Sequence, residues 1–253
     1  MHLNRLITIL MNMNNQRPLL LKFNNFLRLL RLRALFKACA RYCDGRVLDI
    51  GGFDFFKTIK DRPEIAFTNW TSLELEKNLF KSGDSRYKAV FGNGENMEFP
   101  DGSFDTVLNI QVLEHTFNPQ KMVFEMARVL RSGGHGILLI PQSSLLHDPP
   151  THYYNFTKFW ITKAMEAANL EIVELKPLGG FWTTEASHLV LFFFKALKLP
   201  YYSTKEDKRS FIFYLLLPFM IFYAIVSVPF CMLFSLGDLI EDPNNWLVVV
   251  RKS

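Results

Sequence analysis

The stretch RVLDIGGFDFF, Arg46–Phe56, reads as a short apolar strand running into a glycine turn. Glycine in such a turn lets the backbone approach a nucleotide closely. Yet Phe53 and Phe55 stand where turns of this kind carry glycine. Downstream, strands and helices alternate. DFFKTIKD opens a helix that ends before Pro63, and WTSLELE is a second strand. YKAVFGN is a third, PDGSFD a turn, and FDTVLNIQVLEH contains a fourth. PQKMVFEMARVL is a helix with Pro119 at its start, closed by Ser132-Gly133-Gly134. GILLIPQ is a fifth strand, TKFWITKAMEAANL a helix, EIVELKPL a sixth strand, and NWLVVVRKS a seventh. These assignments rest on apolar periodicity, β-branched runs and turn residues.

Alternating strands and helices predict a mainly parallel sheet covered on both faces. Ligands of such sheets sit at the carboxyl ends of the strands. That places Asp49 to Asp54, Glu74, Asn93 to Glu95 and Gln111 to His115 at the candidate site. The 253 residues suffice for one large α/β domain, and 49% apolar content with 25 Phe excludes disorder. So many aromatics also exceed the needs of one core.

The net charge of +5 is unevenly placed. Up to Cys43 the chain holds Arg5, Arg17, Lys22, Arg28, Arg31, Arg33, Lys37 and Arg41 and no acid. FLRLLRLRALFKACARYC, 26–43, has the spacing of an amphipathic helix stopped by Asp44-Gly45. A basic, Leu-rich opening suits an anionic membrane surface; no aromatic-rich basic stripe or motif points to nucleic acid. Leu6 to Leu10 is too short for a signal peptide, and no small-residue cleavage site follows. Cys39, Cys43 and Cys231 read as buried or free thiols in a reducing compartment. No cluster has metal-ligand spacing, so no metal is implied.

From Phe211 to Gly237 the chain carries no charge and is long enough to span a bilayer. It falls between the sixth and seventh strands. If the seventh strand rejoins the sheet, the chain returns to the side it left, and a single crossing is forbidden. A helical hairpin, a re-entrant dip or helices lying in the interface remain. Pro218 and Pro229 are expected to kink or break a long helix, which suits a dip or hairpin. A buried helix pair or an oligomer interface is the alternative. The expected organisation is 1–44, a basic amphipathic region; 45–180 with 245–253, the core; and 181–244, an apolar membrane-associating insertion.

In order, VLDIGG, SLELEKN, FGNGENMEFPDGSFDTVLNIQVLEH, EMARVLRSGG and GILLIPQ resemble the class I S-adenosylmethionine-dependent methyltransferases. The likeness is to the small-molecule type and runs from about Arg46 to Gly179, returning at Asn245 to Lys252. It implies a Rossmann-like seven-stranded sheet, mainly parallel with the last strand antiparallel, and S-adenosyl-L-methionine as cofactor. It also implies direct displacement at the sulfonium methyl. Asp49 would face the methionine end of the cofactor, with Gly51 and Gly52 in the turn. Phe53 replaces the second glycine and is expected beside the cofactor through ring or sulfur contact. Glu74 would accept the ribose hydroxyls, with Glu76 a weaker candidate. Asn93 and Gly94 would meet adenine; Asn93 departs from the usual Asp but keeps an acceptor oxygen. Gln111 and Val112 would flank the methionine and sulfonium.

HDPPTHYYNFTKFW, 147–160, follows the fifth strand and is similar to a loop of methyltransferases from surface-polysaccharide and lipid-linked glycan clusters. His147, Asp148, His152 and Tyr153 are the candidate bases or acceptor-orienting groups. A capping and packing loop, with Asn155 or Thr157 starting a helix, is the other reading. The resemblance thus implies methyl transfer to an oxygen of a small or lipid-linked acceptor, a saccharide or isoprenoid-type lipid. The expected location is the cytoplasmic side of a membrane. Two alternatives stay open. Phe53 and Phe55 motivate a catalytically inactive, membrane-bound interaction module. A nicotinamide or nucleotide-sugar enzyme is the other, against which Asp49 and the single-glycine register argue. Oligomeric state is open.

Overall fold

The computed structural model describes residues 32–53, 55–77, 80–196 and 208–253. Helical residues 32–42 (α1) lead into β1 (Asp44–Ile50), followed by α2 (Phe56–Ile59), β2 (Ala66–Glu74), β3 (Tyr87–Phe91) and β4 (Phe104–Ile110). Next come α3 (Pro119–Val129), β5 (Leu130–Pro141), α4 (Lys158–Ala167), β6 (Leu170–Leu178), α5 (Phe181–Ala196), α6 (Phe211–Phe234) and β7 (Asn245–Lys252). All seven strands form one sheet in the order β3-β2-β1-β4-β5-β7-β6. β1 pairs in parallel with β2 and β4, and β7 runs antiparallel between β5 and β6. Strand order reverses at β1 and β4, the place where a ligand crevice opens.

Alternate residues of the central strands feed two cores, as a sheet covered on both faces requires. Leu138, Ile140 and Val248 face α3 and α4, where Met122, Val123 and Ile161 close the layer. Ile137, Leu139 and Val249 face α1 and α2, where Leu35, Cys39, Phe56 and Ile59 close the other. Phe55 belongs to this second core: it is buried, stacked on Phe36 at 6.4 Å and tilted against Trp70 at 6.3 Å. It is therefore a packing residue and not a damaged glycine position.

Several expectations need correction. α1 buries Leu35, Phe36, Ala38 and Cys39 against the sheet, leaving Arg33, Lys37 and Arg41 exposed. Its apolar face is thus taken by the core and is not available to lipid. Residues 1–31 of the basic opening lie outside the described residues, as does Asp54. The Ser132-Gly133-Gly134 stretch does not close α3 but lies within β5, which starts earlier than its apolar run. Pro218 and Pro229 sit inside one continuous 24-residue α6. Thr157, and not Asn155, caps α4: its side chain accepts from the Trp160 N–H. Cys39, Cys43 and Cys231 are buried free thiols. Desolvation lifts the Cys39 thiol to about 12, Asp49 adding to it and Arg62 opposing.

α5 and α6 form an antiparallel hairpin. Asp238, just beyond α6, accepts from the backbone N–H groups of Gly180 (2.9 Å), Trp182 (2.7 Å) and Thr183 (3.1 Å) at the start of α5. Phe181 N–H donates to Leu239 O at 3.0 Å. Val190 and Phe194 of α5 meet Val228 of α6. One carboxylate so caps the first turn of α5 and fixes where α6 ends.

Candidate active site

A cavity of about 510 Å³ opens at the carboxyl edge of β1, β2, β3 and β4, within the range of roughly 300–1,000 Å³ typical of small-molecule and cofactor sites. One end is lined by Gly51, Glu74, Glu76, Asn93 and Gly94, and the floor by Val112 and Met122. The other end is lined by His115, Thr116 and Phe117 and by Asp148, Pro149, Pro150, Thr151 and Tyr153 of the loop after β5. Of the sequence candidates, Gly51, Glu74, Asn93, Gly94, Val112, Asp148 and Tyr153 meet around this one space. Asp49, Gly52, Phe53, Gln111, His147 and His152 are not among its lining residues.

Each departure has a physical reason. Phe53 takes φ +44°, the left-handed backbone region that a glycine would occupy more easily. Its N–H points at Glu74 Oε1, 2.5 Å away, while its ring turns outward to Phe80 with centroids 6.5 Å apart. Asp49 is 1% exposed beneath the turn, against Gly52. A Cβ on Gly52 would stand 1.8 Å from Asp49 Oδ2, so only glycine fits there. Gln111 has φ +54°, and its amide donates to Asn245 Oδ1 at 3.0 Å. That side chain ties the end of β4 to the start of β7 and does not flank the cavity.

Glu74 is nearly buried at the tip of β2. Its Oε1 accepts from Phe53 N–H and from Ser72 Oγ at 2.6 Å. Burial raises its pKa, and those two donors partly offset the rise. Asn93 Oδ1 accepts the Glu95 N–H at 2.9 Å, closing a local turn and keeping its second lone pair. A Cβ on Gly94 would stand 2.7 Å from Met122 Cε and 3.2 Å from Ile50 Cγ2, so a side chain there would fill the cavity wall. Glu95 accepts from Thr116 and Asn118, joining the loops after β3 and β4.

Glu114 and the histidines were not foreseen as a unit. Glu114 is fully buried, and neither carboxyl oxygen has a well-placed hydrogen-bond partner among the described residues. Its Oε1 lies 3.9 Å from His115 Nε2 and 4.0 Å from His147 Nε2. The His147 and His152 rings are 4.3 Å apart. Burial pushes the Glu114 carboxyl up to about 8, only partly countered by its own backbone N–H. Burial likewise holds His115 down near about 3 and His147 near about 4. The fold brings Glu114, His115 and His147 together from two separate loops, a grouping that spacing along the sequence does not reveal.

The loop after β5 is also held from the apolar hairpin. His188 of α5 lies 2.6 Å from Ser143 O, and Lys195 Nζ donates to Leu146 O at 2.5 Å. These contacts are two helical turns apart, so α5 lies along the loop and not end-on to it.

Residues 62–138, spanning β2 to β5, match the family described as a methyltransferase domain. Over these residues the chain resembles a methyltransferase domain. It is 27% identical over 152 residues to 2-methyl-6-phytyl-1,4-hydroquinone methyltransferase 2 of Oryza sativa subsp. japonica, covering 54% of this chain and 42% of that one. It is 27% identical over 124 residues to a ubiquinone/menaquinone biosynthesis C-methyltransferase of Psychromonas ingrahamii, covering 45% and 49%. The chain thus spans about half the length of the curated relatives it matches. An S-adenosylmethionine-dependent methyltransferase of Mesorhizobium loti shares the fold at TM-score 0.56 and 12% identity, over 89% of this chain and 100% of that one.

The cavity suits S-adenosylmethionine as cofactor. S-adenosylmethionine supplies an electrophilic methyl on a sulfonium. Glu74 presents a buried carboxylate at the end of β2 where ribose hydroxyls would be held, and Gly94 leaves a side-chain-free wall where a flat ring would lie. The nicotinamide alternative loses its support with the domain match.

Proposed function

We propose that the protein transfers a methyl group from S-adenosylmethionine to an oxygen of a small or lipid-linked acceptor at a membrane surface. The observation that carries this reading is a single cavity. It runs from the Glu74–Gly94 edge to the Asp148–Tyr153 loop, and an apolar helix hairpin braces that same loop. Cofactor and acceptor ends are therefore continuous, as in-line transfer needs, and positioning of nucleophile against methyl supplies much of the rate. Glu74, Asn93, Gly94, Gly51 and Val112 would hold the cofactor. Asp148 and Tyr153 would orient the acceptor. His152 is a poor base as placed, because both of its ring nitrogens are engaged: Nδ1 accepts from His147 N–H at 3.3 Å and Nε2 faces Tyr154 O at 3.1 Å.

The membrane part rests on α6. Phe211, Leu215, Phe219, Phe222, Ile225 and Phe230 are all exposed, and only Ala224, Val228 and Cys231 are buried. A helix apolar all round is not stable in water on three of its sides. At about 1.5 Å per residue it is about 36 Å long, enough for a bilayer. Because α5 lies along the domain, α6 would sink lengthwise into the interface beside the cavity mouth and not cross. A lipid-tethered acceptor then reaches the cavity from the membrane, in keeping with relatives named for a phytyl-hydroquinone and for ubiquinone/menaquinone biosynthesis. The inactive-module reading is not favoured, since the Phe53 ring is turned away from the cavity.

Two assays test this. Protein incubated with methyl-labelled S-adenosylmethionine and membrane lipid extract should give a labelled, organic-soluble product. Vesicle flotation should lose the protein when Phe219→Asp and Phe222→Asp are combined. An unlabelled extract with folded, cofactor-binding protein would remove the lipid acceptor. Undiminished flotation of the double variant would remove α6 as the anchor.

A further inference from the structure

Glu114 lies in the short 3-10 turn Leu113–His115 after β4, and His147 comes from the loop after β5. Three features of their cluster point to a ligand. First, a fully buried carboxyl without a well-placed hydrogen-bond partner among the described residues is rare and costly, and here it faces two imidazole nitrogens. Second, both imidazoles present the same atom. His147 Nδ1 lies 2.9 Å from Leu145 O and His115 Nδ1 lies 3.1 Å from Thr151 O. A carbonyl oxygen only accepts, so Nδ1 carries the proton in each ring and Nε2 keeps its lone pair toward Glu114. That is the second-shell arrangement by which proteins fix metal-binding histidines. Third, the ligand atoms all lie within 4.8 Å of one another. Ligands at about 2.0–2.1 Å from an ion stand roughly 3.0–3.4 Å apart, so a movement of about 1 Å per contact closes the set.

We infer that Glu114, His115 and His147 bind one divalent transition-metal ion of the zinc, manganese or iron(II) class. Two imidazoles and one carboxylate suit such ions, whereas magnesium and calcium want oxygen ligands. His152 is not a ligand in this arrangement, because its nitrogens are engaged as described above. His115 lines the cavity, so positions not filled by protein open on the acceptor end, where an acceptor oxygen would be bound and made more acidic. The metal site stands on these three residues alone; only its use for the acceptor rests on the methyltransferase reading.

The test is titration of chelator-treated, detergent-purified full-length protein with Co²⁺, followed by visible absorption, Zn²⁺ competition and elemental analysis. S-adenosylhomocysteine binding is measured in parallel. One equivalent of Co²⁺ per chain, displaced by Zn²⁺, is expected. Glu114→Gln and His147→Gln should each weaken it by at least roughly tenfold, and His135→Gln, on β5 away from the cavity, should leave it unchanged. If Glu114→Gln loses its thermal transition, His115→Gln and His147→Gln decide instead. A folded wild-type chain that takes up no stoichiometric Co²⁺, or uptake that survives both histidine substitutions, overturns the site. Binding of S-adenosylhomocysteine without Co²⁺ overturns the metal alone; Co²⁺ binding without S-adenosylhomocysteine overturns the methyltransferase reading and leaves the metal.

Discussion

The backbone N–H of Phe53 donates to Glu74 Oε1 at 2.5 Å. A residue in the place of a glycine is thus used to hold the acid at the tip of the neighbouring strand. The amide does the fixing, and the phenyl is free to pack on Phe80 outside the cavity. A loop that looks degenerate in sequence is organised in structure.

Phe53→Gly therefore leaves cofactor affinity nearly as it was, within about twofold, while relieving about 1 kcal/mol or more of left-handed backbone strain against the lost ring packing. Calorimetry with S-adenosylhomocysteine reads the first effect and thermal melting the second. A tenfold change in affinity would put the ring back beside the cofactor.

Glu74→Ala removes the carboxylate that Phe53 and Ser72 hold. It should weaken S-adenosylhomocysteine binding by about 1–3 kcal/mol, the range for a lost charge-assisted hydrogen bond. Wild-type affinity would mean that the ribose lies elsewhere.

Gly52→Ala and Gly94→Ala should differ in kind. The first drives a methyl to 1.8 Å from the Asp49 carboxylate, where the wall is a buried side chain under a turn, and should lower thermal stability by about 1–3 kcal/mol. The second meets the flexible tip of Met122 and should instead lower cofactor affinity with little change in melting temperature. Equal melting temperatures for the two would contradict the assignment.

Asp105 gives a pH signature remote from the site. Burial alone would raise its pKa, but Arg46, through side chain and backbone, and Arg131 outweigh that and hold it at about 2, below the ordinary 3.8. A depressed carboxyl stabilises the fold above its unfolded pKa and ceases to as pH falls through the folded one. The contribution should be complete above about pH 4 and fade toward about pH 2. Asp105→Asn should flatten the melting-temperature profile across that window, and an unchanged slope would count against the ion pairs.

The sheet was legible because its cues are local. RVLDI, FDTVLNI and GILLIP are short apolar runs with turns at their ends, and Glu74 falls at a strand tip by simple counting. The left-handed backbones of Phe53 and Gln111 were not legible, because bulky residues rarely adopt them and the compensating partners, Glu74 and Asn245, are far off in sequence. Pro218 and Pro229 misled for another reason. The ladder bonds they remove lie within a helix already held by α5 and Asp238. The Glu114–His115–His147 cluster was hidden because sequence spacing reports ligands on one element, whereas these come from the turn after β4 and the loop after β5.

The most direct measurement is calorimetric titration of the detergent-purified protein with S-adenosylhomocysteine, wild type beside Glu74→Ala. Saturable one-to-one binding that the substitution weakens is the predicted result. Folded wild-type protein that takes up no S-adenosylhomocysteine would contradict methyl transfer as this chain's activity.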